Sequence, residues 1–239
     1  MNTPKISVII PTLNESGYIT TLLKALSNQS FQSAEIIVVD AASTDSTIAE
    51  IKKFKTVRLY QGNPPVASQR NLGAGKASGD ILIFLDADTS PSADFIQKAV
   101  KHFNKSDLDA TCPWFIPDSK NPFLWLIYLF FSSCFFLFQY FLPSGAASCL
   151  IVRKKIFLKE KGFDSQYKFE DIELIRRLGN KYTFRILPQV LKVSPRRFYS
   201  QGIFITLIKY LLLSLLFCFN LFKLANNIEY SFGNHRQKK

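Results

Sequence analysis

Ile81-Leu82-Ile83-Phe84-Leu85 is an unbroken apolar run that stops abruptly at Asp86-Ala87-Asp88. Five apolar residues without polar alternation read as a strand buried on both faces, the pattern of a parallel sheet. The preceding sequence repeats the plan. Ile6 to Ile10 is a similar run closed by Pro11, Ile36 to Val39 leads into Asp40, and Val57 to Tyr60 is a shorter candidate. Helical stretches alternate with these strands. Ser16 can cap a helix that places Ile19, Leu22, Leu23 and Leu26 on one face. Further helices are expected over Thr44–Phe54, Ser68–Ala77 and Ser92–Phe103. The βαβα rhythm specifies an α/β fold, a mostly parallel sheet flanked by helices. The 239 residues suffice for one such domain with a full core, not for two large ones.

In sheets of this kind ligands bind beyond the carboxyl ends of the strands. Polar residues stand at three such ends: Asn14 and Glu15, then Asp40, then Asp86 and Asp88. Carboxylates gathered at one edge repel each other unless a cation or hydrogen-bond donors sit among them. Residues i and i+2 of an extended chain point to one side, so Asp86 and Asp88 can share a target. Two hard oxygen donors suit Mg²⁺ or Mn²⁺, which complete their shells with substrate phosphates. A solvated turn or helix cap is the plainer reading of Asp-x-Asp. Its place directly after a buried strand favours the metal.

The second half reads differently. Asn121-Pro122 opens an uncharged stretch, Phe123 to Leu142, closed by Pro143. A small-residue turn, Ser144 to Ser148, precedes a strand at Cys149–Val152. A helix over Glu170–Leu178 and a strand over Tyr182–Leu187 follow. Ile203 to Phe222 is a second apolar stretch whose one charge is Lys209. We therefore divide the chain into a domain over 1–200, carrying an apolar helical insertion at 122–143, and a C-terminal apolar helix with a basic tail over 201–239.

Net charge is +12, from 30 Lys and Arg against 18 Asp and Glu, so anionic partners are favoured. The basic residues cluster beside the apolar stretches and no nucleic-acid motif is visible, which indicates a membrane surface rather than nucleic acid. The N-terminal apolar run is too short for a signal peptide. Cys112, Cys134, Cys149 and Cys218 fit no metal or disulfide spacing and read as reduced, buried thiols on the cytosolic side. A bilayer crossing takes about 20 apolar residues, which both stretches reach. The first lies between Asp88 and the Glu170 region, so one crossing there would put the two halves of any joint site on opposite sides. It should instead lie in the interface, dip and return, or pack against the domain or a second copy. For the second, an interfacial helix is favoured and a single C-terminal span is left open.

Three segments together carry a resemblance: Ser7 to Glu15 (SVIIPTLNE), Ile37 to Thr47 (IVVDAASTDST) and Ala77 to Asp88 (ASGDILIFLDAD). In order and spacing they resemble family 2 glycosyltransferases, which have the GT-A fold. Arg70-Asn71-x-Gly73 falls where that family places a similar element, and Glu170-Asp171-x-Glu173 resembles its Glu-Asp motif. The resemblance covers roughly residues 5 to 190. It implies an inverting transfer of a sugar from a nucleotide-diphosphate donor, UDP most often, with a divalent metal. It also implies roles. Pro11, Thr12, Asn14 and Glu15 would line the nucleotide pocket, and Asp40, Asp45 and Arg70 would hold the nucleotide. Asp86 would face the ribose and diphosphate, and Asp88 would ligate the metal with Asp86 beside it. Asp171 would be the general base, with Glu170 the alternative, and Arg177 belongs with the donor side.

Gly145, Ala146 and Ser148 fall where the family places an acceptor-side loop, although a tight connection before a strand explains them equally well. The family's Gln-x-x-Arg-Trp element is replaced here by Ser194-Pro195-Arg196-Arg197-Phe198. The arginine pair suits diphosphate oxygens or lipid phosphate equally. The expected enzyme therefore acts at the cytoplasmic face of a membrane, in cell-envelope synthesis, on a lipid-linked or membrane-lipid acceptor. The competing readings are a non-catalytic membrane scaffold of the same fold and a sugar nucleotidyltransferase. The second normally carries a Gly-rich basic loop that Pro11–Gly17 is not.

Overall fold

A computed structural model describes residues 4–31, 34–145 and 148–229. In chain order the first half runs β1 (Ile6–Thr12), α1 (Tyr18–Ser27), β2 (Ala34–Asp40), α2 (Thr47–Ile51), β3 (Val57–Gln61), α3 (Val66–Lys76), β4 (Ile81–Leu85), β5 (Thr89–Ser90) and α4 (Phe95–Lys105). The second half runs β6 (Ala110–Pro117), α5 (Pro122–Phe138), β7 (Cys149–Arg153), α6 (Lys154–Lys159), α7 (Glu170–Lys181), β8 (Phe184–Val193), α8 (Arg196–Gln201), α9 (Ile203–Cys218) and α10 (Phe222–Ala225).

The eight strands form one sheet in the order β3-β2-β1-β4-β7-β6-β8-β5. From β3 to β4 every pairing is parallel. Beyond it the sheet is mixed, because β7 lies antiparallel to both β4 and β6. The continuous apolar runs are sandwiched as their composition demands. Val8, Ile10, Val38, Ile83 and Leu85 face one core with α1 and α4. Ile9, Ile37, Val39, Leu82 and Phe84 face the other with α3 and α7. A Cβ on Gly73 would come within 2.5 Å of Ile9 Cγ2, so α3 reaches this closeness to β1 only with glycine there.

Several local expectations are corrected. Ser16 does not cap α1; Gly17 holds that position, and Ser16 Oγ donates to Glu50 Oε1 at 2.6 Å. The helix expected over Thr44–Phe54 shrinks to Thr47–Ile51, because Ser43, Thr44 and Asp45 hydrogen-bond to neighbouring loops. Not all four thiols are buried: Cys112 and Cys149 are, Cys134 is half-buried and Cys218 exposed. The pairing of β6 with β8 has no counterpart among the sequence expectations.

The apolar stretches are helical but short. Among the described residues no helix is long and apolar enough to cross a membrane. α9 has 16 residues, about 24 Å at 1.5 Å per residue against a hydrocarbon thickness of about 30 Å. The chain turns at Asn220, whose φ is +56°. Residues of α9 and α10 pack onto the rest of the fold. Leu213 and Ala225 pack with Phe169, and Ile203, Leu207 and Tyr210 pack against Phe198 and the inner face of α5. The end of α5 is pinned by Gln139, whose Oε1 accepts from Ile186 N at 2.7 Å.

Candidate active site

The strand ends meet as the topology requires. At the end of β1, Thr12 N donates to Gln69 Oε1 at 3.1 Å and Thr12 Oγ1 to Asp40 Oδ1 at 2.9 Å. Asp40 is buried and also accepts from Ser43 N and Ser43 Oγ. Asn14 takes a left-handed φ of +56°, a conformation asparagine tolerates better than most residues. Its Oδ1 accepts from Thr44 N, and Asp45 accepts from Ser16 N and Thr47 N. Asn14, Asp40 and Asp45 thus stitch two loops together behind the site rather than lining its cavity.

The centre is Arg70 on α3, 4% exposed. Its Nη2 donates to Asp86 Oδ1 at 2.6 Å and its Nη1 to Glu170 Oε1 at 2.7 Å, with Asp171 Oδ2 at 3.7 Å. Its guanidinium lies over the Phe163 ring. Burial opposes its charge, but Asp86, Glu170 and Asp171 together push its pKa up. Its Nε is buried without an acceptor among the described residues. Three carboxylates share one guanidinium, so the cluster is under-compensated. Burial, and then the charge of Asp171, push Glu170 up to about 8. Asp171 is raised as well, by burial, against the pull of Arg70. A helix start by itself favours an ionised carboxylate. Desolvation outweighs the helix end here, and at neutral pH the Glu170–Asp171 pair retains a proton in the resting site.

A second cluster adjoins the first. Arg196 donates through Nη1 and Nη2 to Glu15 at 2.6 and 2.8 Å, and its Nε lies 2.9 Å from Asp88 Oδ2. Ser194 N donates to Asp88 O, which delivers the arginine to that place. Burial raises Glu15 to about 7 and raises Asp88, in both cases against Arg196. Arg197 is close enough to Asp88 to pull the other way. Arg177 is not brought here. It donates to Glu173, Glu160 O and Gly162 O on the far side of α7.

Both clusters open into one cavity of about 1040 Å³. Pro11, Thr12, Glu15, Arg70, Asp86 and Asp88 line it from the sheet edge, Glu170 and Asp171 from α7, and Arg196 and Arg197 from α8. Gly145 and Ser148 also reach it, while Ala146 lies outside the described residues. Asp86 and Asp88 supply hard oxygens at one edge. Among the described residues no group of three His, Cys, Asp or Glu forms a cation cage. Two carboxylates with phosphate and water completing the shell is the usual arrangement for Mg²⁺ or Mn²⁺, so the donor set fits such an ion in company with a diphosphate. Sequence reasoning missed Gln69 and Phe163. It also missed Arg176, which is buried and donates to Pro143 O, Ser144 Oγ and Asn220 Oδ1. Only the adjacency of Gln69 to Arg70 could have signalled one of them.

The family model for glycosyl transferase family 2 matches residues 7–160. An uncharacterised glycosyltransferase of Haemophilus influenzae is 36% identical over 117 residues, 46% of this chain and 47% of that one. The chain thus spans about half the length of that curated relative. A dolichyl N-acetyl-α-D-glucosaminyl phosphate 3-β-D-2,3-diacetamido-2,3-dideoxy-β-D-glucuronosyltransferase of Methanococcus voltae is 32% identical over 109 residues, 42% of this chain and 34% of that one. Among solved structures, TarS residues 1–349 of Staphylococcus aureus in complex with UDP-GlcNAc superposes with a TM-score of 0.62 at 21% identity, covering 80% of this chain and 58% of that one. This last likeness establishes the shared fold.

Proposed function

The chain belongs to glycosyl transferase family 2, and from that premise we propose that it moves a sugar from a nucleotide-diphosphate donor, UDP-linked, to a lipid-linked or membrane-lipid acceptor, with inversion. The observation that carries the reading is the cavity in which Asp86, Glu170 and Asp171 converge on Arg70, with Asp88 paired to Arg196 beside them and Arg197 at the rim. The M. voltae relative, named for a dolichyl phosphate acceptor, supports the acceptor class. The apolar faces of α5 and α9 support attachment to a membrane surface on its cytoplasmic side.

The donor occupies the sheet-edge half of the cavity. Pro11, Thr12 and Glu15 form its wall, and Arg70 fixes Asp86 toward the ribose and diphosphate. Asp88, with Asp86, would hold Mg²⁺ or Mn²⁺, which when bound neutralises the leaving diphosphate. Arg196 and Arg197 then turn to phosphate oxygens, to which guanidinium donors are matched. Asp171 accepts the acceptor hydroxyl proton as that oxygen attacks the anomeric carbon, opposite the departing diphosphate, and Glu170 holds the second proton position. Most of the rate enhancement comes from positioning and charge stabilisation.

Calorimetry of UDP, GDP and dTDP with and without Mn²⁺ tests the donor side. Mn²⁺-dependent binding of UDP, lost in Asp88→Ala, is expected. Folded protein that binds none of the three refutes the reading and moves a scaffold role to the front.

A further inference from the structure

The cavity continues past the carboxylates into a space between α5 and α9 that the donor does not need. Its walls there are Phe131, Cys134 and Phe138 on α5, and Leu211, Ser214 and Cys218 on α9. Cys134 and Cys218 both line this space, one from each helix. Neither wall carries a charge into the space. α5 has none, and the one charge of α9, Lys209, donates to Glu229 O. Tyr128, at the inner end, is close enough to Asp88 to feel its charge. Phe169, next to Glu170, packs onto Leu213 of α9. The polar site and the apolar space are therefore one continuous recess.

Resting on the transferase reading above, we propose that this space is the binding site for the acceptor's hydrocarbon chain, with the acceptor hydroxyl at Asp171. A saccharide or peptide acceptor would strand its hydrogen-bonding groups against these walls, where unmet polar groups are costly. A hydrocarbon chain leaves nothing unpaired. The outer faces of the same two helices support the same occupant. Leu126 and Leu137 of α5 and Ile208 and Phe204 of α9 are each more than 60% exposed, an apolar surface that suits a bilayer beside the recess.

The four native cysteines provide the test. Cys112 and Cys149 are fully buried and stay silent to alkylation while the chain is folded, whereas Cys134 and Cys218 line the recess. The full chain is alkylated with N-ethylmaleimide at pH 8.5 and read by mass spectrometry, alone or with pentadecyl phosphate, farnesyl phosphate of the same carbon number, or inorganic phosphate. Both chain-bearing probes share the chemistry, and the one that protects at lower concentration tells an acyl from an isoprenoid source. Labelling of Cys134 and Cys218 is expected to slow at least tenfold with a chain-bearing probe and not with inorganic phosphate. The protecting concentration should fall about fourfold per added methylene, the factor equivalent to about 0.8 kcal/mol per buried CH₂. Ser214→Trp, which fills the recess, should abolish the protection. Unchanged labelling with Cys112 and Cys149 silent overturns the proposal. So does protection that grows with protein concentration in the absence of lipid, which would assign this face to a second copy. UDP binding by the same sample reports on the donor site separately, so a failed recess and a failed transferase reading are distinguishable.

Discussion

Replacing Arg70 with Met removes the one guanidinium that Asp86, Glu170 and Asp171 share. Met keeps much of the apolar stem against Phe163, so the lost charge dominates the effect. Breaking a buried pair by deleting one partner costs about 3–5 kcal/mol. At about 2–4 °C per kcal/mol for a chain of this size, the melting temperature should fall by roughly 6–20 °C. The loss must depend on pH. Glu170 has a folded pKa of about 8 against 4.5 when unfolded, so its protonation stabilises the fold fully below pH 4.5. That contribution is lost as pH rises through about 8. Without Arg70, Glu170 and Asp171 titrate higher still, and the penalty should be largest near pH 9 and shrink toward pH 5. Glu170→Gln added to Arg70→Met removes one orphaned carboxylate and should recover part of the loss at pH 9. Thermal unfolding of wild type, Arg70→Met and the double variant by circular dichroism at both pH values is the assay. A Tm change under 3 °C, or an equal loss at pH 5 and pH 9, refutes the picture of an under-compensated buried cluster.

Other perturbations probe other parts of the molecule. Burial opposes the charge of Glu50, but donors from Ser16, Thr20, Gly17 and Ser46 hold its pKa down to about 2. Its contribution is present above pH 4.5 and lost as pH falls through about 2, so Glu50→Gln should lower the Tm at pH 7 and match wild type near pH 2. Gly73→Ala forces a methyl onto Ile9 and should destabilise by about 1–3 kcal/mol in urea unfolding, the usual range for overpacking; an unchanged midpoint would show that α3 shifts freely. Arg196→Ala removes one guanidinium from the buried Glu15 and Asp88, so the Glu15 carboxyl followed by NMR should titrate above about 7. Asp171→Asn should abolish transfer while leaving Mn²⁺-dependent UDP binding within about twofold, since a general base acts on the acceptor side.

The features legible in the chain alone are local ones. Unbroken apolar runs in β1, β2 and β4 can only be buried on both faces, and polar residues directly after them must stand at one edge of a parallel sheet. That reasoning suffices to put Glu15, Asp86 and Asp88 on the cavity, while Asn14 and Asp40, nominated by the same reasoning, lie behind it; the helical spacing of Ile19, Leu22, Leu23 and Leu26 suffices to place α1. What those residues meet is settled by the assembled fold. Arg70 and Glu170 are 100 positions apart, and Glu15 and Arg196 are 181 apart. No periodicity encodes such pairings, because they depend on how β7 enters the sheet antiparallel and how the chain after β8 returns over Asp88. The same applies to the protonation of the Glu170–Asp171 pair: a helix start favours charge locally, but burial beside a third carboxylate is a property of the assembled site and is the larger effect. The apolar stretches show the same division. Composition announces them, yet only the fold lays α5 and α9 side by side, stops α9 at Cys218, and opens a recess between them onto the carboxylates.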